Sequence, residues 1–164
     1  MKIIKDLLPY ILIIAFVVLI RTFIITPVKV DGISMFPTLS DGQVLLLKKF
    51  DKSIERFDII VIDYDGTKLI KRVIGLPGER LSIEDNNLYI NGELVDEEFL
   101  DTTTTDFDLS TLNFDFIPNN YYFVMGDNRN NSVDSRVIGF ISIDDIMGTA
   151  DFSIFPFNTF GKID

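Results

Sequence analysis

Two hydrophobic patterns divide this chain of 164 residues. Residues 7–25, LLPYILIIAFVVLIRTFII, are apolar almost without interruption, and residues 10–20 have no polar face. From residue 26 onward, apolar and polar positions alternate in short runs separated by Gly, Asp and Asn turns. Alternation with period two is the signature of half-buried strands, whereas an unbroken apolar run of this length suits a helix in an apolar medium.

At about 1.5 Å per residue, the apolar run spans roughly 28 Å as a helix, close to the thickness of a bilayer core. Pro9 falls in its first turn, where a helix tolerates proline. Arg21 lies near one end, where a long side chain reaches the headgroups. A cleaved leader needs a small-x-small site after its apolar run, and RTFIITPVKV offers none. A buried core helix would show a polar face. The expectation is therefore an uncleaved anchor at 7–25, a short N-terminus at 1–6, and a domain at 26–164. Lys2 and Lys5 precede the anchor while Arg21 and Lys29 follow it, so the charge rule for orientation is nearly balanced. The acidic domain tips the balance toward an inside N-terminus and a domain outside.

The domain reads as strands: PVKV, QVLLLKKF, DIIVIDY, TKLIKRVIG, LSIED, LYING, ELVDE, YYFVM and TADFSIF. Asp65-Gly66 between DIIVIDY and TKLIKRVIG is a strong hairpin signal. Asn86-Asn87 and Asn91-Gly92 separate the short strands that follow. DDIMG is a turn or a short helical piece. Residues 96–118 are acidic, Thr-rich and irregular, which predicts a surface loop or flap, and 79–118 is expected to form a hairpin-and-flap insertion. The fold class expected is a compact, mostly β antiparallel domain behind one N-terminal transmembrane helix.

Composition narrows the chemistry. The formal net charge is −10, and without Lys2, Lys5, Asp6 and Arg21 the remainder carries 12 positive and 24 negative side chains, net −12. Such a domain repels phosphate backbones, so nucleic acid is not an expected partner. There is no cysteine and no histidine. Disulfides, thiolate metal sites and the usual general base are all excluded. A serine nucleophile in this chain needs a lysine base, and that lysine must shed its charge in apolar surroundings.

Ser34, in DGISMFPTLSDG, is one candidate nucleophile, although the stretch alone reads equally as a turn with a hydroxyl. In TKLIKRVIG, Leu69, Lys71 and Val73 share one strand face, and Lys68, Ile70, Arg72 and Ile74 the other. Lys71 thus has apolar neighbours and no charged one on its face. Periodicity leaves two readings open, a buried base or an edge-strand lysine reaching water, and favours the second. GDNRNNSVDSR, directly after an apolar strand, is either a surface turn or a functional loop. In it Ser132 can hydrogen-bond a neutral amine, and Asp134 and Arg136 can pair.

LIRTFIITPVKVDGISMFPTLSDGQVLLL, then KLIKRVIGLPGE, then YYFVMGDNRNNSVDSR, in this order, resemble the bacterial type I signal peptidases, over nearly the whole chain. The small size and single anchor look like the compact Gram-positive forms. The resemblance implies a membrane serine endopeptidase that removes signal peptides after Ala-x-Ala sites, with no metal or cofactor. It assigns Ser34 as nucleophile, Lys71 as general base, and Ser132 as the residue orienting the amine. Asp134 and Arg136 become the bracing pair, and Val28, Val30, Met35, Leu69 and Ile70 the substrate-binding positions. It further implies secreted preproteins and the lipid bilayer as partners, and a plasma-membrane protein with its domain on the extracytoplasmic face. A monomer is expected. One position departs from the Gram-negative pattern: Gly32 stands where those members have an oxyanion-binding serine, leaving the Ser34 backbone N–H as the clearest donor. Two rivals are a self-cleaving repressor of the SOS type, which would need a DNA-binding domain, and a tethered, non-catalytic β domain that binds an extracellular ligand.

Overall fold

The computed structural model describes residues 2–23, 25–49 and 53–163, with helix side chains described over 7–18. Helix α1 (Lys2–Phe23) leads directly into strands β1 (Ile25–Lys29) and β2 (Val44–Lys48). Next come β3 (Ile59–Tyr64), β4 (Thr67–Gly75), β5 (Leu81–Glu84), β6 (Asn87–Ile90), β7 (Glu93–Val95) and β8 (Phe107–Asp108). The chain ends through β9 (Tyr121–Met125), the one-turn helix α2 (Ser135–Ile138), β10 (Ile141–Ser142), β11 (Ile146–Phe155) and β12 (Gly161–Lys162).

Eight strands form the main sheet in the order β1-β2-β11-β3-β4-β9-β10, with β12 added to β11, and a smaller sheet runs β7-β6-β5-β8. All ladders among the described residues are antiparallel. The expected β class therefore holds. The predicted hairpin joins β3 to β4, with Asp65 and Gly66 at φ 49° and 78°, as a type I′ turn requires. The turn between β5 and β6 is centred on Asp85-Asn86, one residue earlier than the sequence suggested.

Two expectations need correction. The acidic stretch 96–118 is not wholly irregular, because it supplies β8 to the small sheet and a 3-10 turn, Leu109–Leu112. Asp108 caps that turn by accepting from Ser110 N–H, which satisfies a donor that would otherwise be orphaned. DDIMG is split: its last three residues already belong to the long strand β11.

Three apolar clusters fill the interior. One joins β1, β2, β3 and β4 through Val28, Val30, Leu45, Leu47, Val61 and Ile70. A second packs the small sheet against β9, around Ile74, Ile83, Phe123 and Met125. The third lies among Ile60, Ile62, Val73 and Val124. β4 contributes to all three, so both of its faces are covered from Ile70 onward. Period-two reasoning assumes one wet face and misses this.

Helix α1 packs differently. Every described side chain in it, over 7–18, is exposed, and the large ones show 50–64% of their surface. Among the described residues, no helix is long and apolar enough to cross a membrane. The side chains of 1–6 and of Arg21 lie outside the described residues, as does Phe50 of the expected QVLLLKKF strand.

β11 crosses the sheet centre with a register shift at Gly148, whose φ is +148° and whose missing Cβ would overlap the Lys48 carbonyl. A side chain there meets rigid backbone, not a mobile tip. Gly148→Ala is expected to lower stability by about 2–3 kcal/mol or more, read as a lower urea midpoint with an unchanged slope.

Candidate active site

β1 and β2 form a hairpin whose ladder is extended by Val30 N–H to the Gln43 carbonyl at 2.7 Å and Gly42 N–H to the Val30 carbonyl at 3.0 Å. The loop beyond these bonds carries Ser34. Inside it, Leu39 N–H donates to the Met35 carbonyl at 2.8 Å, and Met35 and Leu39 drop into the core, 1% and 0% exposed. The two residues act as plugs that hold the loop down. Ser34, one residue before the first plug, stays half-buried at the surface. Ile33 and Phe36 point outward, 55% and 54% exposed. Met35, between them, is buried instead.

β4 supplies the base candidate. Lys71 pairs with Ile60 across the β3–β4 ladder and is 3% exposed. Its Nζ lies 2.8 Å from Ser34 Oγ and 3.0 Å from the Ile70 carbonyl, and it has no carboxylate within hydrogen-bonding distance among the described residues. The edge-strand reading of Lys71 is thereby corrected. Burial lowers its pKa from the ordinary 10.5, while the charges of Asp134 and Asp127 act in the opposite direction.

β9 places the polar loop beside it. β9 pairs with β4 only from Arg72 onward, with Arg72 opposite Met125. The chain leaving Met125 therefore starts next to Lys71. Gly126 is required here for space, since a Cβ would overlap the Ser34 carbonyl and Ser132 Oγ. Asn128 then fastens the two loops together: its N–H donates to the Ser34 carbonyl at 3.0 Å and its Nδ2 to the Ile33 carbonyl at 3.1 Å.

The expected Asp134–Arg136 pair is formed, with Nε to Oδ1 and Nη2 to Oδ2 both at 2.8 Å. Asp134 is fully buried and also accepts from Gly126 N–H at 3.1 Å. Burial alone would push its pKa up. The Arg136 hydrogen bond and charge, helped by the Gly126 N–H and the Ser132 hydroxyl, outweigh that and hold it below the usual carboxylate range. Ser132 reaches the site, but its Oγ is buried without a hydrogen-bond partner of ordinary geometry among the described residues. The bond expected from Ser132 to the lysine amine is not made, and the Ile70 carbonyl holds the amine instead.

The five positions expected to bind substrate separate. Val28, Val30, Met35 and Ile70 belong to one apolar cluster and are 1–7% exposed. Leu69 turns to the opposite face of β4, against the Ile60–Val124 cluster. Strand parity makes this unavoidable for adjacent residues. As for oxyanion donors, Gly32 N–H is committed to Asp41 Oδ1 at 2.8 Å, whereas Ser34 N–H has no acceptor among the described residues.

Several residues at the site had no distinguishing signal in the sequence. Arg72 and Asp127 form a bidentate pair, 3% and 1% exposed, with Nε–Oδ1 at 3.0 Å and Nη2–Oδ2 at 2.8 Å. Arg129 is buried against Glu97. Asn128 looked like one more polar residue of a surface turn. Among the described residues, no group of three or more acidic side chains is arranged to hold a metal ion.

The family model "Signal peptidase, peptidase S26" matches residues 3–155. The chain belongs to this family. It is 42% identical to signal peptidase I S of Bacillus subtilis (strain 168) over 155 residues, 88% of this chain and 84% of that protein. It is 43% identical to signal peptidase I T of the same strain over 152 residues, 85% and 79% of the two chains. The crystal structure of a signal peptidase I from Enterococcus faecalis V583 is similar at 39% identity, with a TM-score of 0.56 over 58% of this chain and 95% of that one. The antiparallel β domain of this chain is thus of the signal peptidase type, and the signal peptidase family is one of serine endopeptidases.

Gly126→Ala tests the close approach of the two loops. The added methyl must displace the Ser34 carbonyl by a substantial fraction of an ångström. Signal peptidase activity is expected to fall about 100-fold, because misplacing reacting groups by about 1 Å costs that much. The check is a steady-state cleavage assay on protein whose circular dichroism matches the parent.

Proposed function

We propose that this protein is a membrane-anchored signal peptidase that removes N-terminal signal peptides from exported preproteins after Ala-x-Ala sites. Ser34 acts as nucleophile and Lys71 as general base. One observation carries the assignment: Lys71 Nζ lies 2.8 Å from Ser34 Oγ while the lysine is 3% exposed, in a chain with no histidine or cysteine.

The cleavage region of the substrate enters as an extended strand. Free sheet edges support this. Among the described residues β1 pairs only with β2, and β4 over residues 67–71 pairs only with β3. Edges left open on one side of these ladders suit strand addition. The apolar cluster of Val28, Val30, Met35 and Ile70 forms the floor beneath the substrate, and its tight packing leaves room only for small side chains.

In the reactive state neutral Lys71 accepts the Ser34 proton as Oγ attacks the scissile carbonyl. The oxyanion is stabilised by the Ser34 N–H, the donor left without an acceptor. The protonated lysine then gives its proton to the leaving amine, which departs as the new N-terminus of the mature protein. Water, deprotonated by Lys71, hydrolyses the ester, and Ser34 regains its proton. Asp134, held ionised by Arg136, braces the loop.

Helix α1 is the proposed anchor, with the N-terminus inside and the domain outside. A continuous run of exposed Leu, Ile, Val and Phe side chains is unfavourable in water and favourable in lipid. Nine residues from Ile25 to Ser34 span at most roughly 32 Å even when extended, so the site stays near the bilayer that holds its substrate.

The test uses detergent-solubilised full-length protein and a preprotein with an Ala-x-Ala site. Wild type is expected to cleave, and Ser34→Ala and Lys71→Ala to lose at least about 1,000-fold in kcat, the scale of removing a nucleophile or its base. Full activity in Lys71→Ala would refute the dyad.

The pH profile follows from the same lysine. Only its neutral form accepts a proton, so the rate rises with pH through its pKa. Burial lowers that value, so the limb should lie below the ordinary lysine value of 10.5. A rate that stays flat into acid would exclude a lysine base.

A further inference from the structure

The acidic stretch after β7, expected as a connecting loop or a lid, is fastened to the polar loop by buried contacts. Glu97 accepts both terminal nitrogens of Arg129, with Nη1–Oε2 at 3.0 Å and Nη2–Oε1 at 2.5 Å. The side chain of Arg129 has no exposed surface, and that of Glu97 only 8%. Thr104 Oγ1 accepts from Arg129 Nη1 at 2.9 Å, and Thr102 Oγ1 donates to the Asp127 carbonyl at 3.2 Å. Phe99 lies over the Arg72 guanidinium, 3.9 Å from its centre, and packs edge-on against Phe57.

The contacts reach Asp127 and Arg129, the residues on either side of Asn128, and each of these three holds a different part of the site. Asp127 pairs with Arg72, the neighbour of Lys71 on β4. Asn128 holds the Ser34 carbonyl. The Arg129 carbonyl accepts Arg136 Nη2 at 2.7 Å, and Arg136 in turn holds Asp134. A guanidinium with no solvent contact must have a counter-charge, because an unpaired buried cation is strongly unfavourable. Among the described residues Arg129 has one ion-pair partner, Glu97, and it comes from the small-sheet side of the domain.

We propose that Glu97 is a positioning residue for the peptidase reaction: through Arg129 it locks residues 127–129 in the conformation that aligns Ser34, Lys71 and Asp134. The proposal rests on the Ser34–Lys71 reading of the site. Glu97 touches neither substrate nor the reacting atoms. It makes the small sheet and residues 96–104 a buttress for the catalytic loop, not a movable lid. Arg129 also keeps Nε buried without a partner, so its orientation rests on the Glu97 and Thr104 bonds to the other two nitrogens.

The experiment measures kcat and KM of the full chain in detergent for an Ala-x-Ala preprotein. Glu97→Gln, Glu97→Asp and Glu98→Gln are compared with wild type, at a temperature where each has wild-type circular dichroism. Glu98 is the control, being exposed and one residue away. Glu97→Gln should lower kcat about 10- to 100-fold with KM within about twofold, since misalignment affects the chemical step and not the binding edges. Glu97→Asp keeps the charge and should recover part of the loss, and Glu98→Gln should match wild type. If Glu97→Gln fails to fold, Glu97→Asp carries the same kcat-against-KM reading. Wild-type kcat in the folded Glu97 variants, with only a lower Tm, would overturn the proposal and leave the dyad standing. A wild-type protein that does not cleave would overturn both.

Discussion

A lysine can serve as a base only where its charge is hard to keep, and the packing around Lys71 meets that requirement. Two adjacent residues of β4 are cations by formula and both are buried to 3% exposure. They differ in their company. Arg72 has a carboxylate in bidentate contact, so its charge is matched. Lys71 has only a hydroxyl and a carbonyl as direct neighbours, and burial therefore moves it toward the neutral amine. The aspartates whose charge is felt at Lys71 are each occupied by an arginine, Asp127 by Arg72 and Asp134 by Arg136. A bare carboxylate at either position would hold the proton on the lysine.

That arrangement explains why the polar loop is fastened to the rest of the domain despite its composition. A loop rich in Asn, Asp and Ser is ordinarily a solvated turn. Here it begins beside Lys71 because β9 ends there, and almost every polar group in it finds a protein partner. Asn128 stitches it to the serine loop, Asp134 caps α2 and receives Gly126 N–H, and Arg129 reaches across to the small sheet. The exceptions among the loop's described buried side chains are Arg129 Nε and the Ser132 hydroxyl, which makes no hydrogen bond of ordinary geometry yet lies close enough to Asp134 to help lower its pKa.

The N-terminal architecture works by proximity. α1 runs almost without a break into β1, and the β1–β2 hairpin loop carries Ser34. The proposed anchor, the proposed substrate edge and the proposed nucleophile Ser34 thus lie within a few tens of residues. The plugs Met35 and Leu39 keep the loop fixed against the core while its outward residues, Ile33 and Phe36, stay free.

How much of this was legible follows from the range of the interactions. Strand identity is a local property, and alternation marked β3, β4 and β9 to within a residue; Asp65-Gly66 marked their hairpin because left-handed backbone needs such residues. The absence of histidine and cysteine determined that any serine chemistry must use lysine, and the resemblance of the motifs singled out Ser34 and Lys71. Whether Lys71 reached water was beyond periodicity, because only the stacking of other segments on both faces of β4 decides it. The pairs that matter most join residues far apart, 55 positions for Arg72–Asp127 and 32 for Glu97–Arg129. Nothing in a local stretch marks one acidic residue among many as the partner of a buried arginine. Tertiary packing made that choice, since a charge removed from water requires whichever counter-charge the fold brings within reach.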